Sequence, residues 1–456
     1  MRFRIAHAGA IAALVLTGGC ASIAPGQGDA QVAAIASERL GQQARLLRSD
    51  ADAKALGAII DDKLRVPLAA DDAVQIALLN NRALQATYWS VGIAEADLVQ
   101  AGRLRNPSFS FQRTLEGGAV GIERTLTMNL AALLTAPLAS RIEARRFEQT
   151  KLIVANAVLQ HATQTRRAYY EAVAAVQGLA YARQVGAAFE ASAELTGRMA
   201  QVGNSSQLDL AREQAFHAEA IGAVGRASRH AGAAREKLTR LMGLDGAQAQ
   251  YRLPDRLPDL PAAPAELIDA ERIAMRDRLD IQAARVEAEQ TASALGLTKA
   301  TRFVNVLDLG YVRNSSAGAS AAGYEITLEL PLFDWGSARV AKAEAIYMQA
   351  VNKMAQAAVE ARSEARESYL DYRSSYDLAR HYRDDVIPLR KKISDETLLR
   401  YNGMLISVFE LLADAREQAG AVNSYIEALK DYWIARTNLE AALGGRLPAA
   451  IKGSTP

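Results

Sequence analysis

The sequence has little cysteine, few aromatic residues and almost no net charge. A single cysteine among 456 residues excludes an intrachain disulfide. Aromatic residues make up only 6% of the chain while half of it is apolar, a composition that suits closely packed long helices better than an aromatic-rich globular core. The formal net charge is +2, and the charges are well mixed along the chain, so the sequence indicates no nucleic-acid partner. The length alone allows two or three domains.

The sequence also lacks the residue groupings that carry chemistry. No set of serine, histidine and acid, no glycine-rich phosphate loop and no paired carboxylates stand out. The histidines do not cluster at the spacing of metal ligands. We therefore predict neither an enzyme nor a metal or cofactor site. The histidines are His7, His161, His217, His230 and His381.

The single cysteine follows a segment that is typical of export. Two arginines precede an apolar run at 11–16 that is too short to span a bilayer, and small residues lead from it to Cys20. The segment resembles a bacterial lipoprotein signal, which implies that Cys20 becomes the first mature residue and carries covalent lipid. Ala21, rather than aspartate, then implies the outer membrane. Thr17 stands where that signal usually has leucine, so an ordinary secretory signal with a chance cysteine is the alternative.

A membrane-crossing part of the mature chain would have to be built from strands. Apart from the N-terminal run, no stretch approaches eighteen continuous apolar residues, so we predict no transmembrane helix. The clearest strand signal lies at 324–332, where apolar and polar residues alternate. Pro331 has no backbone N–H to donate to a neighbouring strand, so it marks the end of the pairing. Residues 333–336 then turn the chain, and a long helical pattern begins. A weaker copy of this unit occupies 126–150.

The chain repeats one plan twice. Each copy is predicted to hold a helix, two strands and a long helix that turns back on a second helix after a glycine-containing break. Landmarks recur in the same order: Pro137 with Pro331, Gly203 with Gly403, Arg212 with Arg416, and Gly243 with Gly444. The predicted helices occupy about 72–102, 138–202, 207–241, 265–300, 337–401 and a final segment ending at 443, and the predicted strands about 106–116, 122–130, 303–313 and 323–332.

These patterns divide the chain into six predicted segments. The second repeat is expected to have the longer hairpin tip, by about one helical turn. The segments are a signal peptide at 1–19, a lipid-anchored tail at 20–66, a first repeat at 67–250, a proline-rich linker at 251–264, a second repeat at 265–445 and a C-terminal tail at 446–456.

Four strands per chain are too few to cross a membrane alone. In a bilayer every backbone polar group must be satisfied, which requires a closed barrel, and about eight strands is the practical minimum. If the strands cross a membrane, several chains must share one barrel, and a trimer would give twelve strands. Glu325 and Glu329, on the polar side of the last strand, suit a wet lumen. A soluble four-stranded sheet packed on helices is the alternative.

Three motifs taken together resemble the outer-membrane efflux channel family typified by TolC. They are LPLFDWGSAR at 330–339, VPLAADDAVQIALLNNRALQA at 66–86 and RYNGMLISVFELLADAREQ at 400–418, and the resemblance covers about 66–444. It implies a mainly α fold with transmembrane β: three chains form one twelve-stranded barrel in the outer membrane, and their helices continue it through the periplasm as a coiled-coil tube. The first copy departs from the second, because it has Ala139-Ser140 in place of residues 333–336.

The resemblance also implies a function and partners. The homotrimer would dock on a periplasmic adaptor and an inner-membrane pump and pass small molecules or metal ions to the exterior. The tip sequence leans towards pumps for heavy-metal cations, and drug or solvent efflux fits nearly as well. Two rival functions remain. A periplasmic adaptor lipoprotein would have one hairpin flanked by small β domains, and a structural coiled-coil lipoprotein would not need strands of membrane length.

Three groups of residues are candidates for a functional role, and the family resemblance supports the first of them. Asp209 and Glu410, just after the two tips, are predicted to line a periplasmic gate as rings of like charge, the alternative being solvated helix faces. A second group at the tips is predicted to contact the adaptor, although the formation of a turn alone could also explain these residues. The group comprises Gly203, Asn204, Gly403, Met404 and Leu405. The predicted strand-to-helix turns comprise Pro137, Pro331, Phe333, Asp334, Trp335 and Gly336.

Overall fold

The structure is a computed structural model that describes residues 26–304, 306–316 and 318–447. Cys20 and the predicted signal peptide lie outside the described residues. The chain divides into two compact units, and each takes segments from both predicted repeats. Unit 1 comprises Met1–Val32, Tyr88–Val154 and Leu279–Val359, and unit 2 comprises Ala33–Thr87, Ala155–Arg278 and Glu360–Pro456.

Helices account for most of the described residues. The segment before residue 66 contains two helices, and the long first-repeat helix has 72 residues. The helices are α1 (Gln27–Leu40), α2 (Asp50–Lys63), α3 (Ala70–Asn80), α4 (Arg82–Gly102), α5 (Leu130–Gln201), α6 (Gln207–Met242), α7 (Ala270–Asp277), α8 (Leu279–Ala300), α9 (Ser337–His381), α10 (Ile387–Asn402) and α11 (Val408–Ala442).

Four strands among the described residues form one antiparallel sheet in unit 1, in the order β1-β2-β3-β4. Each predicted hairpin is present, and its turn lies at glycine, because Gly117, Gly118 and Gly318 have positive φ. The second hairpin is shifted relative to its prediction, since its last strand ends before Pro331. The strands are β1 (Ser108–Glu116), β2 (Ala119–Asn129), β3 (Leu307–Ser316) and β4 (Ala319–Leu328).

Two helices begin in an unusual way. Asp71 and Asp72 lie in the first turn of α3, whose cap residue, Ala69, makes no side-chain cap bond. Acidic residues in a first turn still interact favourably with the helix dipole. Between α9 and α10 the chain forms a π-helical segment, Tyr382–Val386, and Pro388 lies in the first turn of α10.

The core of unit 2 combines leucines and other large aliphatic residues with alanines and tyrosines. Tyr372 and Tyr376 of α9 pack on Tyr432 of α11, with ring centroids 5.6 and 5.8 Å apart. The hydroxyl of Tyr376 donates to the carbonyls of Ala262 and Pro261 at 2.8 and 3.2 Å. The same tyrosines therefore fill the core and fasten the proline-rich linker to it. Fully buried alanines let the helices approach closely, among them Ala168, Ala172, Ala361, Ala365 and Ala379.

Within residues 26–304, 306–316 and 318–447, the structure contains no helix with the length and apolar character needed to cross a membrane.

We predict that Tyr376→Phe lowers the free energy of unfolding by about 1 kcal/mol, because the partly buried carbonyls of Pro261 and Ala262 lose a hydrogen-bond donor. Tyr88→Phe is the matched control. Tyr88 is fully buried, and its hydroxyl has no hydrogen-bond partner among the described residues, so this change should cause no loss. Urea unfolding followed by tryptophan fluorescence measures both variants. Equal losses would contradict the role given to the Tyr376 hydroxyl.

Candidate functional site

The sheet has one apolar face, and that face is exposed in the single chain. The strand register places Phe109, Leu126, Tyr311 and Tyr324 in one cross-strand row, with the rings of the two tyrosines 5.9 Å apart. Large apolar side chains exposed to this degree need a partner or a lipid environment. The apolar face carries Phe109, Phe111, Leu115, Val120, Ile122, Leu126, Met128, Leu307, Leu309, Tyr311, Tyr324, Ile326 and Leu328.

The opposite face of the same sheet is polar. Glu123 and Asn314 are hydrogen-bonded across β2 and β3 at 3.2 Å, and Asn129 donates to Asp308 at 2.7 Å. Thr125, in the middle of β2, is buried on this face. A sheet with one apolar and one polar face matches the alternation expected of a strand between lipid and a wet lumen. Further polar residues of this face are Ser108, Ser110, Gln112, Thr127, Glu325 and Thr327.

Both edges of the sheet are open in the single chain. β1 pairs only with β2, and β4 pairs only with β3, within the described residues. Each outer strand therefore presents a row of backbone N–H and C=O groups without a strand partner. Every residue of β4 is exposed, on both faces. The sheet is thus incomplete as an isolated element.

The junction between β4 and α9 depends on Gly336. Its φ is +73°, and a Cβ at this position would lie 2.6 Å from the backbone oxygen of Arg302. Asp334 accepts a hydrogen bond from the Gly336 N–H at 2.8 Å, and Arg339 donates to the same Arg302 oxygen at 2.9 Å. Because only glycine fits both the backbone angle and the close approach, the turn predicted here has a defined geometry.

Aromatic side chains surround this junction. Trp335 packs edge-on against Phe303 at 6.3 Å, and the guanidinium of Arg302 lies 4.1 Å from the Phe303 ring centre. Phe333 is 99% exposed. Exposed aromatic rings beside cationic groups at the end of a set of strands are typical of a membrane–water interface.

Pro137 does not lie in a strand-to-helix turn, and the structure corrects that prediction. α5 begins at Leu130, directly after β2, and Pro137 lies inside the helix. Asn129 makes the direct transition possible, because its side-chain oxygen accepts the N–H of Ala132 at 2.5 Å. The sequence indicated this site only through an asparagine ahead of a helical pattern, and we missed it.

The first helix tip ends α5 with a left-handed glycine. Gly203 has φ +79°, its N–H donates to Ala200 at 3.1 Å, and the N–H of Asn204 donates to Met199 at 2.8 Å. This pattern is a Schellman motif, which satisfies carbonyls that the helix end leaves free. Gly203 and Asn204 are therefore accounted for by turn chemistry, and both are exposed.

The second tip has the same motif but a different residue in the left-handed position. Met404 has φ +59°, its N–H donates to Tyr401 at 2.9 Å, and the N–H of Leu405 donates to Arg400 at 2.9 Å. Met404, and not Gly403, is therefore the conformational equivalent of Gly203. A left-handed non-glycine residue costs roughly 1–2 kcal/mol. Met404 and Leu405 are nevertheless 93% and 77% exposed, as their predicted contact role requires.

Asp209 and Glu410 occupy the same position in the helices that follow the tips. Ser206 caps α6 by accepting the Asp209 N–H at 3.1 Å, and Ser407 caps α11 by accepting the Glu410 N–H at 3.3 Å. The Ser206 hydroxyl also donates to the Asp209 carboxylate at 2.6 Å. Both carboxylates thus lie at helix N-termini, where negative charge is stabilised. This capping function is independent of any role as a gate.

Several features of the tip region were not predicted from the sequence. Val202 and Leu208 are large exposed apolar residues at the first tip, as Met404 is at the second. Val408 and Phe409 line a cavity of about 380 Å³ together with residues of the first tip. Glu213 is only 1% exposed and accepts a hydrogen bond from Ser192 at 2.9 Å. Among the described side chains, no three acidic or histidine residues lie together as metal ligands.

Comparison with known proteins adds a curated relative and several solved structures. No protein-family model matches the chain. Protein CyaE of Bordetella pertussis is 28% identical over 287 residues, which are 59% of this chain. The chain spans 60% of the length of this curated relative.

Two crystal structures are similar along most of the chain. The CmeC outer membrane channel of Campylobacter jejuni has a TM-score of 0.70 at 17% identity, covering 82% of this chain and 85% of its own. The outer membrane protein VceC of Vibrio cholerae has a TM-score of 0.70 at 16% identity, covering 83% of this chain and 96% of its own. The chain therefore has the fold of these outer-membrane proteins, and the predicted mainly α fold with four strands per chain is confirmed.

We predict that Gly336→Ala destabilises unit 1 by more than about 2 kcal/mol, because a left-handed alanine alone costs roughly 1–2 kcal/mol and its Cβ meets the Arg302 backbone. Gly296→Ala is the control. Gly296 lies inside α8 with open space around it, so alanine should be neutral or stabilising by up to about 1 kcal/mol. Thermal unfolding of both variants tests this prediction, and a Gly336→Ala protein as stable as the wild type would contradict it.

Proposed function

We propose that this chain is one subunit of a homotrimeric outer-membrane channel, and that the channel is the exit of a tripartite efflux system. One observation carries the proposal: an exposed four-stranded sheet with an apolar face, a polar face and two open edges. The fold shared with solved outer-membrane proteins supports it.

The open edges favour an assembly of several chains. In lipid, each unpaired backbone group costs several kcal/mol, so β1 and β4 need partners there. A neighbouring subunit supplies them if its β4 pairs with β1. Three subunits then give a closed barrel of twelve strands, with the apolar faces towards lipid and the polar faces towards a water-filled lumen. The strand lengths of 9 to 11 residues fit one membrane crossing.

The tips are the proposed site of contact with a periplasmic adaptor, which links the channel to an inner-membrane pump. Met404 supports this, because it keeps an unfavourable backbone angle where glycine would relieve the strain, and it presents its side chain to solvent. Leu405 and Val202 extend the exposed apolar surface. An exposed apolar tip is a typical contact surface for another protein.

The proposal includes an anchor and a class of cargo. Covalent lipid on Cys20 would hold each subunit at the outer membrane, in addition to the strands. The cargo is small molecules or metal ions, which the channel passes without chemical change. No resident cofactor is proposed.

We also propose that Asp209 and Glu410 form the periplasmic gate. Three copies of each carboxylate would give rings of negative charge at the tips, which favour cations over anions. Asp209 is partly shielded by Arg212 at 3.7 Å, whereas Glu410 is exposed. The exposed carboxylate is therefore the stronger contributor to the field.

Cysteine pairs across the proposed subunit boundary test the shared barrel. Ser110→Cys in β1 would be combined with Ala321→Cys, Gly323→Cys or Glu325→Cys in β4, all on the polar face. We expect at least one pair to form dimers and trimers on oxidation, because opposed residues of neighbouring strands have Cβ atoms about 5 Å apart. Denaturing gel electrophoresis without reductant measures the products.

The control pair is Thr125→Cys with Val312→Cys, which are register partners in the central strands. This pair should form a disulfide within one chain, and the protein should migrate as a monomer. The wild type, with Cys20 alone, gives the background. Formation of the control disulfide without any linkage between β1 and β4 would contradict the shared barrel.

Charge and capping can be separated at the gate. Asp209→Asn with Glu410→Gln should lower the preference for cations in planar bilayers, because six charges leave the trimer while side-chain oxygens remain. Ser206→Ala with Ser407→Ala keeps the charges and removes the caps, so it should cost about 1 kcal/mol of stability per cap and leave ion selectivity unchanged. If the neutral variants also keep wild-type selectivity, the carboxylates are helix caps and not a gate.

A further inference from the structure

The charges of the sheet are sorted by face. The arginines of the strands, Arg113, Arg124 and Arg313, all lie on the apolar face, because the register pairs Arg124 with Phe111 and with Arg313. Acidic side chains of the strands lie on the opposite face, at Glu123, Asp308 and Glu325. An apolar surface with arginine as its one kind of charge is unusual, since each uncompensated charge beside lipid costs free energy.

The three arginines form a compact group that has no acidic partner in the part of the chain that the structure describes. Arg124 and Arg313 are directly opposite on neighbouring strands, so their Cβ atoms are about 5 Å apart, and Arg113 is a diagonal neighbour of Arg124 at roughly 7–8 Å. Like charges directly opposite each other are destabilising. All three side chains are exposed, and none has an ion pair among the described residues. The group therefore lacks a counter-ion.

The position of the arginine group on the sheet indicates which kind of molecule could supply its counter-ion. Along β4 and its extension, the residues of the apolar face from 324 to 330 are exposed and apolar, over roughly 20 Å of extended chain. The aromatic pair of Tyr311 and Tyr324 ends this apolar column. The next row towards the hairpin turns contains Arg124 and Arg313. The other end of the column, near Gly336, has the exposed Phe333 and Trp335.

The sequence of apolar, aromatic and cationic rows along the sheet is the one found where a membrane protein leaves the bilayer. Aromatic rings concentrate at the level of the headgroups, and the apolar band of a membrane sheet is about 25 Å high. The arginines thus lie where the band ends on the hairpin side. At that depth an arginine costs little free energy, and an anionic group beside it makes the interaction favourable.

We propose that Arg113, Arg124 and Arg313 bind the phosphate groups of an anionic lipid headgroup on the outside of the sheet. Guanidinium groups hold phosphate through two parallel hydrogen bonds, and three of them supply the charge for one diphosphorylated headgroup. The aromatic row beneath them contacts the acyl chains. This inference rests on the proposed function, because it places the apolar face of the sheet against lipid.

Native mass spectrometry of the detergent-purified full-length trimer tests the proposal, with lipid A as the anionic probe and phosphatidylcholine as the zwitterionic one. We expect the wild type to retain lipid A. The triple variant R113Q/R124Q/R313Q should require at least about tenfold more lipid A for half-saturation, because three charge-assisted contacts are lost. R113K/R124K/R313K should keep part of the binding, and phosphatidylcholine should bind all proteins alike.

The matched control is R183Q/R226Q/R229Q, which removes the same charge from exposed helix positions. It should bind lipid A as the wild type does. Inorganic phosphate should not displace the lipid, and displacement would identify a site for free phosphate instead. Equal lipid A binding by the wild type and the R113Q/R124Q/R313Q variant would overturn the proposal.

Conductance in planar bilayers distinguishes failure of the lipid-site proposal from failure of the proposed channel function. If all variants conduct as the wild type does while lipid A binding is unaffected, only the lipid site is wrong. If the wild type neither forms trimers nor conducts, the proposed function is wrong, and the lipid site falls with it.

Discussion

The backbone groups along β1 and β4 are the constraint on which the rest of this protein depends. An isolated four-stranded sheet leaves two rows of N–H and C=O groups without strand partners, and water can satisfy them but lipid cannot. The apolar face of the same strands is stable only away from water. The two requirements conflict in a single chain and are reconciled when neighbouring chains pair edge to edge. In the proposed assembly, oligomerisation would be part of folding, because the sheet would be complete only there.

The two halves of the chain reach similar geometry with different residues. At the tips, Gly203 and Met404 occupy equivalent left-handed positions, and each is followed by a serine cap and an acidic residue three positions later. At the strand-to-helix junctions the halves diverge: Asn129 starts α5 at once, whereas the second half needs a turn around Gly336. The two tips therefore share one hydrogen-bond pattern with different residues in the left-handed position, whereas the two junctions share neither.

The sequence predicted features whose cause is local. Period-two alternation located the four strands, paired glycines located the first hairpin turn, and unbroken helical sequence located α5 and α9. Features set by several elements at once were not predictable. Gly403 corresponds to Gly203 in the order of sequence landmarks, although the backbone angle and hydrogen bonds place Met404 in the left-handed position. Pro137 corresponds to Pro331 in the same order, although it lies inside α5.

The charges of the strands are also distributed by the environment that each face suits, although no single strand shows this distribution. In β2, Glu123 and Arg124 are adjacent in sequence and therefore on opposite faces, so the pattern reads as a simple mixture of charges. Only the register sorts them, with carboxylates on the polar face and guanidinium groups on the apolar one. Carboxylates need water, whereas long arginine side chains reach from an apolar surface to anionic groups at its boundary. The two faces of the sheet are therefore suited to two different solvents, and the sign of each charge agrees with its side.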